Sequence, residues 1–353
     1  MGINNLHKFL KKHCDNIYVP RHLSTLGTKT VAIDTSLYMY KFKACYNTGW
    51  LASFLNLVAK LRKYNIHCIF IYDNGCPEEK LKEREERAEH RNKLQEKALM
   101  IKTELDQYYA TGEVSEFLKK LSEKNTPDKV KRLLTTNTFD VKSVEQQLKK
   151  VESQIITVTK HDFDLTRELF EILSIPYANA HLEAEKTCAQ MCYEGTVDYV
   201  LSEDTDVLAY NSPHFLTKLD LSSDICMDID IKTILETIDM TYDQFRDLCI
   251  MCGTDYNTNI PRLGPETAYN ALIKHKSIEG IGENEPNVDI SILNHIRVRE
   301  LFSFTEPCEV KMKFCGQPDF DKLDEFIFKN NLRVDKERVK KCFEYREIIF
   351  EDE

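Results

Sequence analysis

The sequence predicts an α/β protein built on a central, mostly parallel sheet flanked by helices. Two observations predict it. Short β-branched and aromatic runs, among them TVAID (30–34), CIFIYD (68–73) and DYVLS (198–202), alternate with longer segments of helical pattern. That alternation marks right-handed crossovers between parallel strands. Acidic residues also stand at the ends of these runs: Asp34 closes the first, Asp73 the second, and Asp204 and Asp206 follow the third. Parallel strands deliver their C-terminal ends to one edge of the sheet, where ligands bind. Carboxylates far apart in sequence should therefore converge.

Residues 1–75 read as a helix (GINNLHKFLKKH), a strand (TVAID), a helix (WLASFLNLVAKLRKY) and a strand (CIFIYD). Residues 79–158 change character. They are rich in Lys, Glu, Gln and Leu, carry almost no strand signal, and break near Gly112 and Thr126–Pro127. This predicts a helical insertion projecting from the sheet edge. The α/β pattern resumes at His161, with a helix through LTRELFEILS, the strand SIPYA, a helix from Glu183 and the strand DYVLS. FLTKL and ICMDID read as an antiparallel hairpin at the sheet's edge. From Thr241 the chain is mostly helical again, and it has no internal repeat.

A chain of 353 residues with 42% apolar content can bury a large core. No apolar run approaches the roughly 18 residues of a membrane span. The start, MGINNLHKFLKKHC, lacks the apolar centre of a secretory signal, and Leu6 breaks the myristoylation pattern. Twelve cysteines without such a signal read as reduced thiols. The expectation is an intracellular protein, nuclear or cytoplasmic, and neither secreted nor membrane-bound. Cys249 with Cys252, and Cys188 with Cys192, lack a partnering motif and read as core residues. The net charge of −10 argues against a nucleic-acid partner. Binding, however, depends on local patches and not on the average.

Seven acidic residues at five places form the candidate site: Asp34, Asp73, Glu183 with Glu185, Asp204 with Asp206, and Asp255 in MCGTDYN. Singly, each has an ordinary explanation. Asp34 and Asp73 suit turns, Glu183 and Glu185 a helix N-terminus, and Asp204 an N-cap. Asp204 and Asp206, two apart, would face the same side of an extended segment. Crowded carboxylates repel and resist ionisation unless cations neutralise them. Oxygen ligands with little His or Cys nearby suit Mg²⁺ or Mn²⁺, not zinc. The chemistry usually attached to such a cluster is two-metal phosphodiester hydrolysis.

Two basic or backbone features could meet a phosphate. Lys80, Arg84, Arg87 and Arg91 fall at i, i+4, i+7 and i+11, one narrow stripe on a helix. They form either a solvated face laced with ion pairs or a row of cations aimed at a phosphodiester. The second is favoured by Lys80 lying seven residues beyond Asp73. Residues 241–275 read as a helix–hairpin–helix, with Pro265 opening the second helix. Its loop would offer backbone N–H groups to a phosphate; the ordinary alternative is a plain αα-hairpin.

Six motifs run in order along the chain: MGINNL, AIDTSLYMYKF, FIYDNGCPEEKLKEREER, IPYANAHLEAEKTCA, LSEDTDVLAY and LCIMCGTDYNTNIPRLGPETA. In them, and over nearly its whole length, the chain resembles the XPG/flap endonuclease family of structure-specific 5′ nucleases. The resemblance implies a PIN-like 5′ nuclease fold forming one nuclease domain. Its regions would be 1–78, an arch at 79–158, 159–235, a helix–hairpin–helix region at 236–285 and an extension from 286. It implies two Mg²⁺ ions, with Mn²⁺ as a substitute: one held by Asp34, Asp73, Glu183 and Glu185, the other by Asp204, Asp206 and Asp255. Lys80 and Arg87 would contact the scissile phosphate, and Tyr40 would stack on the terminal base. Arg84, Arg91, Arg262 and Gly264 would touch DNA, with K⁺ at the hairpin.

The partner implied is branched or flapped DNA, cut by a monomer. The alternatives are a recombination-type exonuclease or Holliday-junction resolvase of the same superfamily, and a non-catalytic scaffold. Three departures stand out. The insertion is longer than in cellular flap endonucleases. Arg262 and Glu266 replace a glycine and a cation at the hairpin. The sequence ends at FEDE without a sliding-clamp motif or basic tail, which suggests a microbial or large-virus enzyme that does not use a clamp.

Overall fold

The computed structural model describes residues 2–14, 16–125 and 139–344. The break expected at Thr126–Pro127 and the terminal FEDE lie outside them. Among the described residues seven strands form one sheet: β1 (Val19–His22), β2 (Thr30–Asp34), β3 (His67–Tyr72), β4 (Tyr177–Asn179), β5 (Tyr199–Leu201), β6 (His214–Asp220) and β7 (Ile225–Asp230). Their spatial order is β1-β7-β6-β5-β2-β3-β4. The five strands from β6 to β4 run parallel. β7 is antiparallel to β6, and β1 to β7.

The helices are α1 (Leu6–His13), α2 (Thr35–Tyr46), α3 (Trp50–Lys63), α4 (Leu81–Thr111), α5 (Glu116–Asn125), α6 (Val141–Gln154), α7 (Lys160–Ile172), α8 (Ala184–Tyr193) and α9 (Asp206–Ala209). They continue as α10 (Ile231–Thr237), α11 (Tyr242–Cys252), α12 (Pro265–His275), α13 (Ile278–Asn284), α14 (His295–Leu301), α15 (Phe320–Lys329) and α16 (Lys336–Lys341).

The pleat divides the strand residues between two cores. Ala32, Ile69, Ile71 and Val200 pack with α1, α8 and α10–α14 on one face. Val31, Ile33, Cys68, Phe70 and Leu201 pack with α2, α3, α7, α15 and α16 on the other. A sheet covered on both faces needs apolar residues at successive positions, which is why these strands read as continuous runs. From β2 the chain proceeds to β3 and β4 on one side, then crosses to β5 on the other. The strand order reverses between β2 and β5, the place where an open sheet leaves a crevice.

Two expectations are corrected. The β6–β7 hairpin is not at the edge, because β1 pairs along β7 with Val19 opposite Asp228. β1 escaped notice because VPRH is short, contains Pro20 and is largely exposed, as suits an edge strand. The helix α2 also lacked a periodic signal. Thr35 to Met39 are buried one after another, so no polar face marks the 3.6-residue period.

Candidate metal and nucleic-acid site

The sheet register brings the expected acids to one edge. Asp34, the last residue of β2, lies opposite Ile71 of β3. Ile33 lies opposite Leu201 of β5. Asp73 and Asp204 therefore leave their strands at nearly the same level as Asp34. Asp34 is buried and caps α2, its Oδ1 accepting the Leu37 N–H at 3.1 Å. Asp73 is exposed, and its Oδ1 accepts the Ala184 N–H at 2.7 Å. It thereby caps α8 from another strand, so Glu183 and Glu185 sit at that helix's start.

Within this edge Glu185, Asp204 and Asp206 form the tight group. All three are buried, and each offers a carboxylate oxygen within 4.8 Å of the others'. This group joins residues expected at two separate ions. Burial, with mutual repulsion, pushes the carboxyls of Asp34, Asp204 and Asp206 above the ordinary range. Burial also raises Glu185, against the opposing pull of Lys80. Asp206 is 1% exposed, and its Oδ1 is buried without a hydrogen-bond partner. Asp206 opens α9 and Asp204 stands two residues before it, where the Asp206 N–H donates to Asp204 Oδ1 at 3.0 Å. A buried, oxygen-only donor set with an unpartnered oxygen fits a hard divalent cation.

Lys80 is the cation the chain itself places here. It ends a 3₁₀ turn (Glu78–Lys80) that runs directly into α4, the helix that carries Arg84, Arg87 and Arg91. Its Nζ lies 2.6 Å from Glu183, 3.2 Å from Asp255 and 3.5 Å from Glu185. Burial alone would lower its ammonium, but Glu185, Glu183 and Asp255 hold it well above its usual range. Arg87 reaches Asp255 at 3.3 Å and pairs with Glu83. Arg84 turns to Cys76 Sγ at 2.9 Å. Arg91 has no ion pair among the described residues. Tyr40 is 40% exposed on α2, beside buried Tyr38 and Met39.

The hairpin lies beside this edge. α11 packs on α12, and the exposed Gly264 caps α12, its carbonyl accepting the Ala268 N–H at 3.0 Å. Arg262 is exposed with φ +66°. Glu266 accepts from Lys12 and His13 of α1, both at 2.9 Å. The acid standing where a cation was expected thus anchors α12 to α1.

Two contributors carry no sequence pattern of their own. Gly2 has φ +87°, and a Cβ there would strike the carboxylates of Asp204 and Asp206, so only glycine lets the chain start lie against the cluster. Tyr256 donates to Glu183 Oε2 at 2.5 Å, and its oxygen lies 2.5 Å from the Tyr210 hydroxyl. The opening MGI and the Tyr beside Asp255 were the only available signals.

The XPG N-terminal domain profile matches residues 1–94, and the XPG I-region profile residues 174–255. "Probable RAD2-like endonuclease 369L" of Invertebrate iridescent virus 6 is 32% identical, the match covering 98% of this chain and 92% of that protein. The chain belongs to the XPG/RAD2-like endonuclease family. A flap endonuclease 1 from Cryptosporidium muris is 28% identical over 93% of this chain and 69% of its own. Among solved structures, the catalytic core of Rad2 in complex with DNA substrate matches with a TM-score of 0.64. It is 17% identical and covers 97% of this chain and 98% of its own. The flap endonuclease-1 of Methanococcus jannaschii matches at 0.62 with 19% identity, over 94% and 96%. These two establish the fold. Among the described residues no helix is long and apolar enough to cross a membrane.

Proposed function

We propose that this nuclease-family chain is a divalent-metal-dependent 5′ flap endonuclease and 5′–3′ exonuclease acting on branched DNA. The observation that carries the reading is the convergence of Glu185, Asp204 and Asp206 beneath Lys80. A scaffold has no use for buried carboxylates that repel one another. Asp34, Asp73, Glu183 and Asp255 complete the set of seven that would hold two Mg²⁺ ions. Bound there, the ions would supply charge stabilisation and lower the pKa of water for in-line attack on a phosphodiester.

The chain's own residues supply orientation and charge. Asp73 and the α8 N-terminus fix Glu183 and Glu185, and Tyr256 fixes the second oxygen of Glu183. Lys80 would move from its carboxylate partners to a non-bridging phosphate oxygen, where its charge counts most as the transition state forms. Arg87, at the same mouth, would assist. Tyr40 offers an exposed ring on which the terminal base would stack, a contact worth about 1–3 kcal/mol.

α4, α5 and α6 would form the arch over a 5′ single strand, with Arg84 and Arg91 along α4. Residues 253–264, with Arg262, Gly264 and a K⁺ ion, would grip the duplex. The reading is tested by cutting end-labelled flap, nicked, gapped and four-way junction DNAs in parallel with Mg²⁺. Preferred cleavage of the flap is expected, and preference for the four-way junction would make the chain a resolvase. Asp204→Ala should abolish cleavage while leaving DNA binding measurable. A variant that cuts at the parental rate would show that the acids are misassigned.

A further inference from the structure

We propose that Arg297 is a positioning residue for Lys80, acting through Glu79, and that α14 thereby ties the hairpin to the acidic cluster. The inference rests on the reading of Lys80 as the cation that meets the scissile phosphate. Lys80 ends a three-residue 3₁₀ turn whose own hydrogen bonding is slight: its N–H donates to the Pro77 carbonyl at 3.1 Å. The turn runs directly into α4, whose N-cap position Lys80 occupies, and contacts from outside fix how this foot of the helix sits against the acids. One contact is the carboxylate cluster. The other is on the neighbouring residue, where Glu79 Oε1 accepts from Arg297 Nε at 2.7 Å across 218 positions of sequence.

Glu79 is well covered, its side chain 18% exposed, while Arg297 is half exposed and steadied by Glu300 at 3.0 Å. Two residues further along α14, Arg299 holds Asp247 of α11 at 2.7 and 2.6 Å and also pairs with Glu279 of α13. Arg299 therefore fixes α14 to the hairpin's first helix, and Arg297 extends from the same short helix to the foot of α4. A partly exposed ion pair adds little to global stability. Its worth here is positional, because a displacement of about 1 Å near reacting atoms can cost about 10²-fold in rate. Grip on the duplex and placement of Lys80 then share one mechanical link.

The test is single-turnover cleavage of a 5′-flap DNA with Mg²⁺, and affinity for the same DNA with Ca²⁺. Wild type is compared with Lys80→Ala, Arg297→Ala, Arg297→Lys and the double variant Lys80→Ala/Arg297→Ala. Arg297→Ala should slow cleavage about tenfold with affinity unchanged. Arg297→Lys should keep most of the rate, because one nitrogen makes the contact to Glu79. The double variant should be no slower than Lys80→Ala alone, since Arg297 works through Lys80. Full additivity in the double variant overturns the inference by showing a role independent of Lys80. A parallel loss of affinity overturns it by making Arg297 a DNA contact. An unchanged rate for Arg297→Ala, with Lys80→Ala slow, overturns it and leaves the reading of Lys80 standing. An unchanged rate for Lys80→Ala overturns that reading and this inference with it.

Discussion

Lys80 and Asp206 carry opposite halves of one electrostatic problem. Asp206 is buried with an oxygen that no donor reaches, and Asp204 and Asp255 push its carboxyl further up. In the metal-free protein this charge opposes folding. Asp206→Asn should therefore stabilise the metal-free protein by about 0.5–2 kcal/mol, the usual gain from relieving a functional site. It should also shrink the rise in Tm that Mg²⁺ produces. Thermal unfolding across a Mg²⁺ series checks both; an undiminished rise would remove Asp206 from the ligand set.

Lys80→Ala should lower single-turnover cleavage about 10²-fold, and Arg87→Ala about tenfold because Arg87 is more exposed, with substrate affinity falling less than rate in both. Equal losses would make these cations a general grip. Asp34, Asp73, Asp204 and Asp206 were readable because each closes or follows an apolar run. Gly2 and Tyr256 were not, because their contribution is a close approach and a hydrogen bond made across the fold.

Among the elements, α14 shows how a short helix can matter beyond its own packing. Arg299 covers Asp247, which is 3% exposed. Arg299→Ala leaves that carboxylate buried without its cation and should cost about 3 kcal/mol. The same guanidinium holds the Glu279 carboxyl down at about 2, from an ordinary 4.5. A carboxyl whose folded value is depressed stabilises the fold fully above its unfolded value, and that stabilisation fades as pH falls toward the folded one. The difference between wild type and Arg299→Ala should accordingly narrow below about pH 4.5. Urea midpoints from pH 7 to pH 3 check this, and a constant difference would show that the pairing with Glu279 contributes nothing. β2, β3 and α3 were readable from local pattern, since each is a long apolar run or a periodic helix. The link from Glu79 to Arg297 was not, because nothing local relates two residues 218 positions apart.

At the scale of the whole molecule, the described residues form three separate cores. Two cover the faces of the sheet, and the third lies wholly among α4, α5 and α6, where Ala98, Ile101, Leu105, Leu118, Val144 and Val151 are buried together. Helices rich in Lys and Glu can bury little, which is why composition pointed to helices here but not to a core among them. A cluster that shares no buried residue with its neighbours can open by itself. Ile101 is fully buried, and Ile101→Ala should destabilise its surroundings by about 2–4 kcal/mol. Amide exchange should therefore quicken across α4–α6 while β2 and β3 keep their protection. Cleavage of a flap should slow, because α4 carries Arg87 and begins beside Lys80, whereas the Tm rise with Mg²⁺ should stay as in wild type, because the acids belong to the sheet edge. Equal loss of protection in β2, β3 and α4 would show instead that the three cores unfold as one unit, and that the insertion has no stability of its own to lose.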